Sequence, residues 1–304
     1  MKKFLKITIV FLLGLVLLDF LSGFVFRYLV SHAKGGDTGL NNYICNEMKE
    51  ECIIFGSSRG MHHYAPNIIG DSLGMSCWNG SLDGNGIILM YGRFKMMTER
   101  YTPKIIIYDV CSSFDLLEGD NHKYLGSLRY YYDRHGIDSI FWEVDKIERY
   151  KMMSNFYRYN SVWLQLFSDN IHPLQSDAKG YRPKDKRMEY TPEQAAKNEA
   201  VEYKYDSQKL AFLEALINDC KTKGIKLVFS LSPMYNAPDD EVFRPLRMLS
   251  KKYNVPLINH YCDRQFAGHN EYFYDSVHMN RTGATKFSKI FVSEIKMLYL
   301  EHFQ

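Results

Sequence analysis

Cys52-Ile53-Ile54-Phe55-Gly56-Ser57-Ser58-Arg59 is a short apolar run that stops at a glycine and continues into two hydroxyl residues. Four consecutive apolar residues without polar alternation fit a strand buried on both faces, as inside a parallel sheet. Gly56 permits a tight turn at its end, which leaves Ser58 at the strand's carboxyl edge. Working outward, the same pattern recurs at residues 75–78, 105–108, 226–231 and 256–259. Helical stretches fall at about 86–99, 207–223 (closed by Gly224), 240–253 and 282–301. Short strands alternating with helices predict an α/β fold with about five parallel strands and helices on both faces. Right-handed crossovers then place every strand's carboxyl end on one edge, where α/β proteins bind their ligands.

The 304 residues suit one such domain with an insertion, plus a membrane segment. A hydrophobic share of 46% allows a substantial core. Net charge is only +3, and no dense Lys/Arg run occurs beyond the N-terminus, so nothing points to a nucleic-acid partner. Tyrosine is abundant, with 23 residues. Core and surface packing accounts for such an excess, and so does a carbohydrate-binding cleft.

Lys2, Lys3 and Lys6 precede a stretch, residues 7–26, that is apolar apart from Thr8, Asp19, Ser22 and the glycines. As a helix rising about 1.5 Å per residue, it spans a hydrocarbon core of about 30 Å. Asp19 costs about 2.5–3.5 kcal/mol at a bilayer centre, a cost the surrounding Leu, Ile, Val and Phe residues can carry. The lysines predict a cytoplasmic N-terminus and an extracytoplasmic domain. Ser31-His32-Ala33 also has the small-x-small pattern of a cleavage site, so a signal peptide competes with an uncleaved anchor. The length of the stretch, and Arg27 and Tyr28 beyond it, favour the anchor. The expected layout is a signal anchor over 1–31, a linker over 32–50, and a domain over 51–304 with an insertion at about 115–205.

That insertion is rich in Tyr, Arg, Trp and Met and carries helices around 137–167, then a Lys-rich loop to about residue 186. An interval so long is not a simple connection. A lid over the sheet's carboxyl edge and a peripheral helical decoration are equally consistent with it. Six cysteines allow up to three disulfides in about fifteen pairings, though several fall in predicted strands, where a buried free thiol is the default.

Two segments carry chemistry. Ser58 follows a buried strand, where the next helix directs free N–H groups at a developing negative charge. Near the other end, Tyr272-Phe273-Tyr274-Asp275-Ser276-Val277-His278-Met279-Asn280 precedes the last helix. A serine nucleophile needs a neutral imidazole to take its proton, and the imidazole needs a carboxylate to fix its tautomer. Asp275 and His278 supply both from one loop. His62-His63 suggests a metal, but adjacent side chains on one turn point apart and no third ligand is near. No metal or other cofactor is expected.

Together these segments resemble the SGNH (GDSL-like) hydrolase and acyltransferase family. Gly56-Ser57-Ser58 is similar to its first block, with Ser58 as nucleophile, and Asp275-Ser276-Val277-His278 to its last. Asn79-Gly80-Ser81-Leu82-Asp83-Gly84-Asn85 resembles the second block. The likeness covers about residues 51–300 outside the insertion. It implies a three-layer, flavodoxin-like fold and an oxyanion hole from Ser58, Ser81 and Ser113. Ser57 stands where the family has Asp, a variant similar to its extracellular polysaccharide-modifying branch. Ser81 stands at the oxyanion glycine, and Val110-Cys111-Ser112-Ser113 replaces the third block with its Asn. Arg59, Asn85 and Tyr235 are candidate substrate contacts.

The resemblance implies an extracytoplasmic, serine-dependent esterase or O-acyltransferase acting on acyl, above all acetyl, esters of a polysaccharide or a small substrate. The expected partners are the membrane, through the N-terminal helix, and the polysaccharide or small acyl-ester substrate. The competing reading is a catalytically weak binding or assembly component that keeps the fold. A phosphate-binding flavodoxin-like protein is disfavoured, since no Gly-rich phosphate loop follows the first strand.

Overall fold

The computed structural model describes residues 1–160, 163–173, 178–190 and 202–302. These form two compact units: one of Met1–Met48, Lys95–Glu99 and Asn121–Leu174, the other of Lys49–Phe94, Arg100–Asp120 and Gln175–Gln304. In chain order the elements are α1 (Lys2–His32), α2 (Gly36–Asn46), β1 (Cys52–Gly56), α3 (Ser58–His63), α4 (Pro66–Leu73), β2 (Cys77–Asn79) and α5 (Ile87–Thr98). There follow β3 (Ile105–Asp109), α6 (Ser112–Asp115), α7 (Ile137–Val144), α8 (Glu148–Lys151), α9 (Asn155–Arg158) and α10 (Trp163–Ile171). The last are α11 (Ser207–Thr222), β4 (Lys226–Leu231), α12 (Arg244–Tyr253), β5 (Leu257–Asn259) and α13 (Arg281–His302).

The larger unit is the α/β domain. Its five strands are all parallel, in the order β2-β1-β3-β4-β5. Strand residues alternate between two buried faces, which is why β1 and β3 read as unbroken apolar runs. Cys52, Ile54, Ile105, Ile107 and Val228 join Phe287, Phe291 and Ile295 of α13 in one core. On the opposite side Tyr108 packs against Phe229, and α11 buries Phe212, Leu213 and Leu216. The result is the three-layer architecture that the strand pattern predicts. Strand order reverses at β1, so the edge where Ser58 follows β1 is the switch point.

The smaller unit holds α1, which is 31 residues long and apolar enough to cross a membrane. The stretch expected to be a linker is instead largely helical. Leu40, Ile44 and Met48 recur at four-residue spacing and are buried, and Asn42 donates to the carbonyls of Val30 (2.6 Å) and Ala33 (2.9 Å). Its polar composition masked that apolar stripe. The expected insertion divides: residues 121–174 group with α1, whereas 178–190 belong to the unit with the sheet. Residues 191–201 of that insertion lie outside the described residues. All six cysteines are free thiols, and Cys52 and Cys77 are paired neighbours across β1 and β2.

Candidate active site

The turn after β1 is tight because Gly56 lies against β3. A Cβ added there would stand 2.9 Å from the Asp109 carbonyl oxygen. Ser57 holds the N-cap position of α3 without a side-chain capping bond, so Ser58 is the helix's first residue, where backbone N–H groups have no acceptor within the helix. The Ser58 Oγ lies 2.8 Å from His278 Nε2. On the ring's other side, His278 Nδ1 lies 2.9 and 3.1 Å from the two Asp275 oxygens. Asp275 Oδ1 also accepts the backbone N–H groups of Val277 and His278, each at 2.8 Å. Partial burial pushes the Asp275 carboxyl up, but the His278 hydrogen bond and those two N–H groups outweigh it and hold it below its ordinary value. Its ionised form is the one that keeps Nδ1 protonated and Nε2 free to accept the serine proton.

The base-carrying loop is a closed structure. Phe273 and Met279 pair as an antiparallel bridge, and Tyr274 donates its N–H to the His278 carbonyl across 2.8 Å. Asn280 stands just before α13, accepts the Gly283 N–H at 3.0 Å, and donates to the carbonyls of Glu271 and Phe273. It thereby joins the helix start to the loop.

One of the expected oxyanion donors, Ser81, is already hydrogen-bonded. The Ser81 N–H donates to Asn79 Oδ1 at 3.1 Å, while Asn79 Nδ2 reaches the carbonyls of Gly60 and Tyr64. Ser113 is exposed, and its carbonyl accepts from the Lys209 ammonium at 3.3 Å. The Ser81 N–H is thus already engaged by Asn79. The Ser58 N–H stands at the start of α3, in the first turn of the helix.

Two of the three candidate substrate contacts are buried, which corrects the expectation for them. Arg59 is 3% exposed and lies beneath the nucleophile turn. It donates to the Val110 carbonyl at 2.7 Å, approaches Asp109 at 4.0 Å and covers the Tyr261 ring. Burial works against its charge, but Asp109 overcomes that and holds the guanidinium protonated. Asp109 also receives the Ser232 N–H and the Tyr64 hydroxyl. Tyr235 is buried against Phe273, with its hydroxyl on Asn270. Asn85 is half-buried and donates to the Asp83 carbonyl, which shapes the loop after β2.

Several contributors were not visible as such in the sequence. His63 Nε2 accepts the Met279 N–H at 2.9 Å, and burial keeps this ring neutral. His62 meets the Arg182 carbonyl through Nδ1 (2.5 Å) and Asp83 through Nε2 (3.1 Å), with its ring edge-on to His278. Residues 179–188 strap the site together. They take the N–H groups of Asn79 (on Lys179) and Arg281 (on Lys184) and give those of Arg182 to Met61 and Met188 to Phe273. The only sign of this in the sequence is a polar, Lys-rich loop. In the other unit His122, Asp145 and Glu148 bring potential ligand atoms within 4.8 Å of one another. There the Lys151 ammonium sits 2.9 Å from Glu148 and 3.9 Å from Asp145, so a cationic group already faces that cluster.

No protein-family model matches the sequence, and no curated protein matches it. Solved structures do align with the chain. The psychrotrophic esterase EstA from a Pseudoalteromonas species aligns at 12% identity, covering 82% of this chain and 98% of its own, with a TM-score of 0.42. The acetyl xylan esterase AlAXEase aligns at 12% identity, covering 81% of this chain and 98% of its own, with a TM-score of 0.40.

Proposed function

We propose that the chain is a serine-dependent esterase or O-acyltransferase of the SGNH type, anchored by α1 and acting outside the cytoplasm on acyl, above all acetyl, esters of a polysaccharide. The observation that carries this reading is the hydrogen-bonded line Ser58–His278–Asp275 at the switch-point edge of the sheet. His278 Nε2 takes the Ser58 proton as Oγ attacks the ester carbonyl carbon. The oxyanion forms near the Ser58 N–H. Collapse expels the alcohol, which leaves with the proton from Nε2, and the acyl group remains on Ser58. Water or a sugar hydroxyl then gives its proton to His278 and attacks the acyl carbon, and Ser58 recovers its proton. Water completes hydrolysis; a sugar completes transfer.

An uncleaved anchor is supported by Asp19 of α1, which accepts hydrogen bonds from Ser154, Asn155 and Phe156. Removing α1 would leave those donors without their partner. The lysines before α1 support an exported domain. A second reading, a weakly active glycan-binding component, is favoured by one observation: the Ser81 N–H is turned to Asn79. A fluorophosphonate probe followed by peptide mass spectrometry separates the two. Labelling at Ser58 supports the enzyme; an unlabelled Ser58 in folded protein favours the binding component.

A further inference from the structure

The smaller unit carries an apolar surface unlike the rest of the chain. Beyond α1, thirteen large apolar side chains are exposed among the described residues. Eight of those thirteen fall between residues 147 and 171, too local a concentration for ordinary surface scatter. Ile147, Tyr150, Met153 and Phe156 recur every third residue along α8 and α9, and Met153 is 79% exposed. On α10, Trp163, Leu164, Phe167 and Ile171 share one helical face. Other groups of the same helix are tied down. Leu166 is buried, Asn170 donates to the Leu29 carbonyl at 2.9 Å, and the Asp169 carbonyl accepts the N–H groups of Lys34 and Gly35. A helix in water turns its apolar stripe inward; α10 turns much of it outward.

Contacts with α1 fix the depth of this surface. Asp19 accepts the Ser154 hydroxyl (2.7 Å) and the N–H groups of Asn155 (3.0 Å) and Phe156 (2.8 Å). One turn on, Gly23 lets Asn155 approach the helix backbone, since a Cβ there would fall 2.5 Å from its Oδ1. Phe26 stacks on Tyr159 at 4.8 Å. Asp19 lies seven residues before Phe26, the last residue of the apolar stretch, or about 10 Å along a helix. Helices that lie in a membrane interface sink about 5–10 Å below its surface.

We propose that residues 147–160 and 163–171 form a lipid-facing shelf, sunk into the leaflet from which α1 emerges at its C-terminal end. The proposal rests on the reading of α1 as a membrane span. Lipid is the occupant because this surface continues the exposed apolar surface of α1 and is pinned to it within the apolar stretch. The same contacts pair Asp19 inside the span, where an unpaired carboxylate is costly. Tyr150 and Trp163 supply the aromatic side chains that favour the headgroup level.

The test uses the full chain in phosphatidylcholine vesicles with Trp78→Phe, Trp142→Phe and Trp163→Phe as background. Single tryptophans are restored at 163 or introduced by Met153→Trp, Leu12→Trp and Met248→Trp. Bromine on the acyl chains is expected to quench positions 12, 153 and 163 severalfold more than 248. Quenching at 12 but not at 153 or 163 overturns the shelf and leaves the anchor standing. No quenching at 12 removes the anchor, and the shelf with it. Shielded emission at 153 and 163 that bromine does not reach means a second copy or protein partner covers the surface, and also overturns the proposal. On the unsubstituted chain, a lipid with a photoreactive acyl chain should crosslink within 147–171 as well as α1; labelling confined to α1 contradicts the shelf.

Discussion

The backbone N–H of Met279 donates to Nε2 of His63 across 2.9 Å, so the loop that carries the base is tied to the helix that carries the nucleophile. His63→Leu leaves that buried N–H unpaired, at a cost of about 1–3 kcal/mol. It also frees His278 to drift, and a misplacement of about 1 Å costs roughly 10²-fold in rate. The expected result is a fall in kcat with KM nearly unchanged, read by steady-state kinetics beside urea unfolding.

Asp275→Asn keeps the loop's shape but presents the wrong partner to His278 Nδ1. A loss of about 10⁴ in kcat is expected, by analogy with the same change in other serine triads. Asp275's pKa is lowered on folding, so the stability it contributes is present above its unfolded value and is lost as pH falls through the lower folded value. Asn at this position should therefore flatten the acid limb of the unfolding profile. A variant with unchanged kcat would remove Asp275 from the triad.

Arg59 separates a structural role from substrate binding. Breaking its buried pairing with Asp109 by Arg59→Met is expected to cost about 3–5 kcal/mol. Thermal unfolding should register that loss while KM stays near the wild-type value. A raised KM with undiminished stability would return Arg59 to the substrate.

Asp115, beneath the turn after β3, is pushed up to about 7 by burial, against the N–H groups of Cys111 and Ile87 and the Tyr108 hydroxyl. In the unfolded chain this carboxyl ionises at its ordinary value of 3.8. Between those values the unfolded chain has released the proton and the folded chain has not, so this group makes stability fall as pH rises, levelling above about 7. Asp115→Asn should abolish that slope, as measured by denaturant unfolding across the same window.

The parts legible in the sequence are those with local physical signatures. β1 and β3 are buried on both faces and so appear as unbroken apolar runs, and Asp275 and His278 are close enough in sequence to be read as one unit. What escaped depends on contacts between distant residues. The helix over Gly36–Asn46 was hidden by polar neighbours around Leu40, Ile44 and Met48. His62 and His63 suggested at most a metal, because the acceptor role of His63 toward Met279 spans 216 positions. Ser81 matched an oxyanion position by order along the chain, yet Asn79, two residues away, takes its N–H. Lys179, Arg182 and Lys184 work through backbone groups, which leave no trace in side-chain identity.

The most direct measurement is kcat/KM of the full chain on 4-nitrophenyl acetate, set against Ser58→Ala and His278→Ala at equal folded concentration. The account predicts turnover by the wild type and loss of roughly 10³-fold or more in each variant. Turnover that survives in Ser58→Ala would contradict it.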